Sequence, residues 1–598
     1  MGLRPLLFML PASAAAGLAL PNARQLQFME EQELTQFFHF SAPTFWDAPS
    51  PYLYSLNPTY HNCVTTAIDH SNATGSYYPC LHPDIFQPSD LSTEDWMANA
   101  AALGTSEICL TAAHEGGFAL WPSNATPYSV AASSWRGGKG DVLREFVDSA
   151  KKWGIRVCYY LNVQCNQCVP HERNELSLAR TGTQRFFSRD PLIPPTLPTP
   201  PPTPIPFCSY STKVQGLGPA EFIDREIGML TEVLTNYGPV NRFWLCVSPS
   251  RAVKLFYPAL FSPCTHTRAR FFSDGTSDLP KGTNATELWA RVYSTIRTLS
   301  PPTLISAYRG DVCATTGSLL TRGGPTPNSS DVGLCELPRE GGDVFQPSEM
   351  HGITAQMGPD GNTDDMPTYW FWHPWACARN ISGCPWVGHT NASRIFDSYI
   401  QTVGHGAVLN FNCPAERTGR MNASLAAVMA EAGAALNATF RAPPLAGAGP
   451  VSTPCGTPLE FDFPGLPAPF DYVVTMEDLR FGQRVANYSF EFQAVGSDVW
   501  EILVPPVIAN KTPPAGVGDR PDGHDPRDQY LGRKRIDVPI VPTGGGAVQV
   551  AKVRFNCIRA IEDPVYLKSV ELRQRRVPWE GAVAARGGGG GGGAPPQP

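Results

Sequence analysis

Charge is scarce in this sequence. Asp, Glu, Lys and Arg make up 17% of its 598 residues, and the formal balance is −7. With no basic run standing out, nothing offers the clustered cations that a nucleic-acid backbone requires. Beyond the first segment there is no apolar run long enough to span a bilayer. The pattern of a metal site is missing its second half. Cys165-Asn-Gln-Cys168 has no partner pair, so a loop disulfide or two unrelated bridges is the expected reading, rather than a zinc or redox motif.

What is present is length, sequons and cysteine. A chain of 598 residues exceeds one core, so two domains are expected. It opens MGLRPLLFMLPASAAAGLALPNA, where Arg4 precedes an apolar stretch and then small residues. This predicts a secretory signal over residues 1–22. The alternative, a single membrane anchor, is opposed by Pro5, Pro11 and the shortness of the run, leaving no span after signal removal. Asn72, Asn124, Asn284, Asn328, Asn380, Asn391, Asn422, Asn437, Asn487 and Asn510 each head an Asn-X-Ser/Thr sequon. Sixteen cysteines in an oxidising compartment are expected to pair in part. The expected location is the secretory pathway, outside the cell or in a lysosome-like or vacuole-like compartment.

The chain is organised around Leu110-Thr111-Ala112-Ala113-His114-Glu115-Gly116-Gly117-Phe118-Ala119-Leu120-Trp121-Pro122-Ser123. Ile108, Cys109 and Leu110 read as a buried strand, which stops in small residues and a histidine. Barrel enzymes deliver polar groups to their open face in this way. Downstream, Val142, Leu143, Phe146, Val147 and Ala150 mark one face of a helix ending at Gly154, and the next strand starts at Ile155. Strand, loop, helix, strand is a βα unit. Helical spacing recurs over Pro219–Thr235, Thr286–Leu299 and Ile395–Val403. Strands are expected at Gln36–Ser41, Arg242–Trp244, Thr303–Ala307 and before Asn412. Residues 191–206 are a polyproline insertion that can form neither helix nor ladder.

LTAAHEGGFALWPSNATPYSV followed by GDVLREFVDSAKKWGIRVCYYL resembles the α-L-fucosidase family of retaining glycoside hydrolases. The resemblance implies a (β/α)8-like barrel followed by a C-terminal antiparallel β-sandwich, with no metal or organic cofactor. It implies sugar contacts from His39, His114, Trp121, Tyr160 and an aromatic of Tyr369-Trp370-Phe371-Trp372-His373-Pro374, either Trp370 or Trp372. Glu115 stands where the family carries a second histidine. A carboxylate can only accept hydrogen bonds, so this change weakens the specificity for fucose.

The family's nucleophile is an aspartate two residues beyond the Trp that ends a barrel strand. Here the text runs Trp244-Leu245-Cys246-Val247, while Phe272-Ser273-Asp274-Gly275 lies further on. The run after Asp274 matches what the family places after its own Asp-Gly, so residues 245–272 read as an insertion and Asp274 as the nucleophile. The acid/base glutamate should fall within residues 311–318, where no glutamate stands. Glu336 and Glu349 remain, and Glu349, in Gln346-Pro347-Ser348-Glu349, is the acid/base candidate. A retaining glycosidase needs both carboxyls, about 5–5.5 Å apart.

The domains expected are the signal at 1–22, a barrel at 23–440, a linker at 441–469, a sandwich at 470–577 and a disordered Gly-rich tail at 578–598. Function follows in two forms. One is a secreted hydrolase removing terminal α-L-fucose from a fucosylated glycan or glycoconjugate by double displacement. The other is a catalytically inactive carbohydrate-binding protein on the same barrel. Nucleic acid is not an expected partner, and the oligomeric state is left open.

Overall fold

The computed structural model describes residues 20–45, 83–114, 117–163, 218–245, 283–306, 311–316, 348–354, 371–372, 390–463, 470–506, 531–540 and 549–579. An opening helix, α1 (Ala23–Glu31), precedes β1 (Leu34–Phe38). Then follow α2 (Thr93–Leu103), β2 (Glu107–Ala113), α3 (Val142–Trp153), β3 (Arg156–Leu161), α4 (Pro219–Asn236), β4 (Arg242–Trp244), α5 (Ala285–Leu299) and β5 (Leu304–Ser306). The unit continues through β6 (Cys313–Thr316), β7 (Ser348–Thr354), α6 (Ala392–Thr402), β8 (Val408–Asn412) and α7 (Ala423–Leu436).

All eight strands pair in parallel, in the order β5-β4-β3-β2-β1-β8-β7-β6. Only residues 307–312 separate β5 from β6, too few for a crossover helix. The seam closes there instead: Ser306 bridges Val312 in parallel, and the Val312 N–H donates to the Ile305 carbonyl at 3.1 Å. The ring is thus a closed, (β/α)8-like barrel.

Local chemistry explains the elements. In α3 the Asp141 carboxylate caps the Arg144 N–H at 2.9 Å, and Gly154 ends the helix in the left-handed region at φ 66°. Its five apolar positions named above are all buried. Among the described residues, the stretch Ala423–Arg441, which begins with α7, is the one helix long and apolar enough to cross a membrane. Here it packs as a core helix instead. Gly433 lies against α2, and a Cβ there would overlap the Ala102 carbonyl oxygen.

The barrel interior is layered. Its floor is the Glu107–Arg242 ion pair, 2.6 Å apart, both side chains fully buried. Arg242 also donates to Ser306 Oγ at 2.8 Å and Thr35 Oγ1 at 3.2 Å. Above lie Phe37, the Cys109–Cys158 disulfide, Tyr160 and Trp244 as one buried cluster. Side chains alternate along a strand, so the next inward position on β1 after Phe37 is His39.

The second unit is a pair of antiparallel sheets. One has the order β10-β17-β12-β15, with β9 also on β17; the other is β11-β16-β13-β14. Its strands are β9 (Ala446–Ala448), β10 (Val451–Thr453), β11 (Leu459–Asp462), β12 (Tyr472–Glu477), β13 (Val485–Ala494), β14 (Trp500–Val504), β15 (Arg535–Asp537), β16 (Val550–Ala560) and β17 (Val565–Arg573). The expected linker at 441–469 is therefore corrected: β9, β10 and β11 lie within it and pair with β17 and β16. Its Gly, Ala and Pro content mimics a tether, but short edge strands tolerate those residues. A second disulfide, Cys455–Cys557, staples this unit.

The sandwich docks through β15. The Ile536 N–H donates to the Gly404 carbonyl at 2.9 Å. The Lys534 ammonium meets Glu33 at 2.6 Å and the Tyr399 hydroxyl at 2.9 Å, and Tyr399 donates to Glu33 at 2.7 Å. Burial alone would raise the Glu33 pKa, but Lys534 and Arg533 outweigh it and hold the carboxyl at about 2.

Candidate active site

Three strand ends bring polar groups together at one mouth of the barrel. His39 follows β1, His114 follows β2, and Asn412 ends β8. Since β1 lies between β2 and β8, these three are neighbours by topology. His39 Nδ1 is 2.6 Å from Asn412 Oδ1. An amide oxygen only accepts, so Nδ1 carries the proton in this bond and Nε2 is left facing away from Asn412. The His39 ring stacks on Phe37 at 4.5 Å, which fixes its plane.

The two histidine rings meet edge-on at 5.4 Å. His114 stacks on Tyr160 at 5.0 Å, and Tyr160 leans on Trp244 at 5.4 Å. Phe371 stands edge-on to both histidines, 5.6 Å from His39 and 5.2 Å from His114. Burial pushes the His114 pKa down to about 3, so the ring is neutral. Its Nδ1 is buried with no hydrogen-bond partner among the described residues. This buried nitrogen stands at a strand end among aromatic rings, where it can take a hydroxyl as its partner. The arrangement offers imidazole and amide groups to hydroxyls, and an apolar ring to a C–H face.

The α-L-fucosidase family model matches residues 27–291, the span that carries His39, His114, Tyr160 and Trp244. A relative from Arabidopsis thaliana named Alpha-L-fucosidase 1 is 27% identical over 267 residues, which is 44% of this chain and 38% of that protein. An Oryza sativa subsp. japonica protein whose name also carries alpha-L-fucosidase 1 is 24% identical over 521 residues, 81% of this chain and 77% of that one.

Over residues 27–291 the chain is similar to the α-L-fucosidase family of glycoside hydrolases.

The architecture agrees. A glycoside hydrolase 29 family member from an unknown rumen bacterium superposes with TM-score 0.57 at 21% identity, covering 94% of this chain and 78% of that one. At that identity the likeness concerns the fold.

Within this fucosidase-like frame, the remaining expected site residues fall as follows. Tyr160 lies in the ring cluster described above. Trp372 is buried, and its neighbour Phe371, which the sequence reading passed over, meets the histidines. Trp121 is buried at 1% exposure and donates from Nε1 to Glu232 at 2.8 Å. The same carboxylate takes Ser123 Oγ at 2.7 Å and the Asn124 N–H at 2.8 Å. On these contacts the Leu-Trp-Pro-Ser run is a latch onto α4.

Glu349, the acid/base candidate, is the second residue of β7; it pairs with Val408 at the start of β8, whereas Asn412 pairs with Thr354. Asp311 accepts from the Ile305 N–H at 2.9 Å and from Arg297 at 2.6 Å. Asp274, Cys246, Glu115, Glu336 and Trp370 lie outside the described residues. Among the described residues no cluster of three or more His, Cys, Asp or Glu is placed to hold a metal.

Proposed function

We propose that this chain is a secreted retaining α-L-fucosidase that releases terminal fucose from glycans, with the Asp274 carboxylate as nucleophile. The observation that carries the sugar-binding half is the meeting of His39, His114 and Asn412 under Phe371 at the open end of the barrel. A related protein, the Ruminococcus gnavus GH29 fucosidase, has been solved in complex with fucose; it is 16% identical, with TM-score 0.52, covering 94% of this chain and 97% of that one. The same sugar is the substrate group proposed here.

In this reading Asn412 orients the His39 ring and His114 stays neutral, so the His114 imidazole meets a hydroxyl without a charge to neutralise. The rings exclude water on one side. Asp274 attacks the anomeric carbon, the aglycone oxygen leaves, and water then releases fucose with net retention.

A specific observation supports a second reading. No glutamate stands in residues 311–318, where the resemblance places the acid/base, and without that acid the same mouth would serve an inactive fucose-binding protein. The test is hydrolysis of two α-L-fucosides, one bearing an activated nitrophenol and one an alkyl alcohol, with Asp274→Asn as control. An acid is worth roughly 10²–10⁴-fold on a poor leaving group. Turnover of the aryl fucoside, abolished in Asp274→Asn, supports the hydrolase. Fucose binding without turnover of either compound overturns it in favour of the binding protein.

A further inference from the structure

Two of the sequons have a structural setting that sequence alone does not reveal. Asn284 is the N-cap of α5, its Oδ1 accepting from the Glu287 N–H at 3.2 Å. Asn391 is the N-cap of α6, its Oδ1 accepting from the Arg394 N–H at 2.9 Å and from Ser393 Oγ at 3.0 Å. Both side chains are exposed. Among the described residues, the hydrogen bonds of both side chains use the oxygen and none uses the amide nitrogen.

N-glycosylation modifies that nitrogen and leaves the oxygen an amide acceptor, so the cap and the glycan are compatible on one side chain. The capping Asn422 is different: its Nδ2 already donates to Glu416 at 2.8 Å, and the residue is half-buried. Asn487 is half-buried within β13, followed by the buried Tyr488 and Ser489. These settings rank the sequons by geometry.

Topology adds position. Helices of a parallel barrel run opposite to its strands, so the helix N-termini lie at the end where the strands finish. Asn284 and Asn391 therefore stand on the rim that carries His39, His114 and Asn412, one on each side of the β5–β6 seam. We propose that Asn284 and Asn391 are N-glycosylated helix caps whose glycans flank the mouth of the sugar site. This depends on passage through the secretory pathway and is independent of hydrolytic activity.

The test is peptide mapping of the full chain secreted from a eukaryotic host. Amidase deglycosylation in heavy-oxygen water should convert Asn284 and Asn391 to labelled Asp. Two variants then separate cap from glycan at Asn391. Ser393→Ala destroys the sequon and keeps the cap, while Asn391→Gln removes both. Each should lose one glycan by mass, and Asn391→Gln should melt at a lower temperature than Ser393→Ala. Unlabelled Asn284 and Asn391 peptides would overturn the proposal, whatever the chain's activity on fucosides. So would equal melting temperatures for the two Asn391 variants.

Discussion

At the scale of single residues, the site rests on one hydrogen bond between side chains that lie 373 positions apart in the chain, His39 and Asn412. Asn412→Ala leaves Nδ1 unsatisfied in a buried setting, a loss of about 1–3 kcal/mol. Fucose affinity measured by calorimetry should fall on the order of tenfold, with the fold intact by circular dichroism. His114 gives a pH prediction of definite sign. Unfolded, it takes up a proton near 6.5; folded, it stays neutral down to about 3. As pH falls through that window the unfolded state binds more protons, so stability drops. A urea midpoint should fall between about pH 7.5 and pH 5, and fall less in His114→Gln. His39 and His114 were legible in the sequence because each closes a strand pattern within a family-like motif. Phe371 and Asn412 were not singled out, because their role comes from strands far apart in the chain. The hydrogen bond from Trp121 to Glu232 was not legible for a related reason: Glu232 lies on a helix 111 residues away.

At the scale of elements, the helices and barrel strands followed from periodicity. Exceptions arose where composition and fold diverge. Residues 441–469 have a linker's composition and yet supply β9, β10 and β11, because edge strands are selected by pairing partners on β16 and β17. Glu349 illustrates a different limit: the sequence offers it as a carboxylate in a Pro-x-Glu segment, and only the fold shows that it lies near the start of a barrel strand. Two substitutions test the element packing. Gly433→Ala pushes a methyl into the Ala102 carbonyl and should destabilise by about 1–3 kcal/mol in urea titration. Arg242→Met strands the buried Glu107 carboxylate and should cost about 3–5 kcal/mol. Adding Glu107→Gln should recover part of that loss in a double-mutant cycle.

At the scale of the whole molecule, the barrel and sandwich share a buried cation, Lys534, which Glu33 and Tyr399 neutralise and bind. Lys534 and Arg533 hold the Glu33 carboxyl at about 2, well below the usual carboxylate range. Its contribution is fully present above the unfolded value and is lost as pH falls toward 2. Glu33→Gln should weaken the docking by about 3–5 kcal/mol at neutral pH, read as earlier protease cleavage between the units or a lower melting point. The acid-induced loss that remains should be shallower than in the parent.

The account's central claim is that the Asp274 carboxylate reaches the anomeric carbon of a sugar seated between His39 and His114. Trapping tests it most directly, by incubating the full chain with a 2-fluorinated fucosyl donor that forms the glycosyl-enzyme quickly and releases it slowly, then mapping the label by peptide mass spectrometry. The account predicts one fluorofucosyl group, borne on Asp274. A label on any other residue, or no label on a chain that still binds fucose, would contradict it.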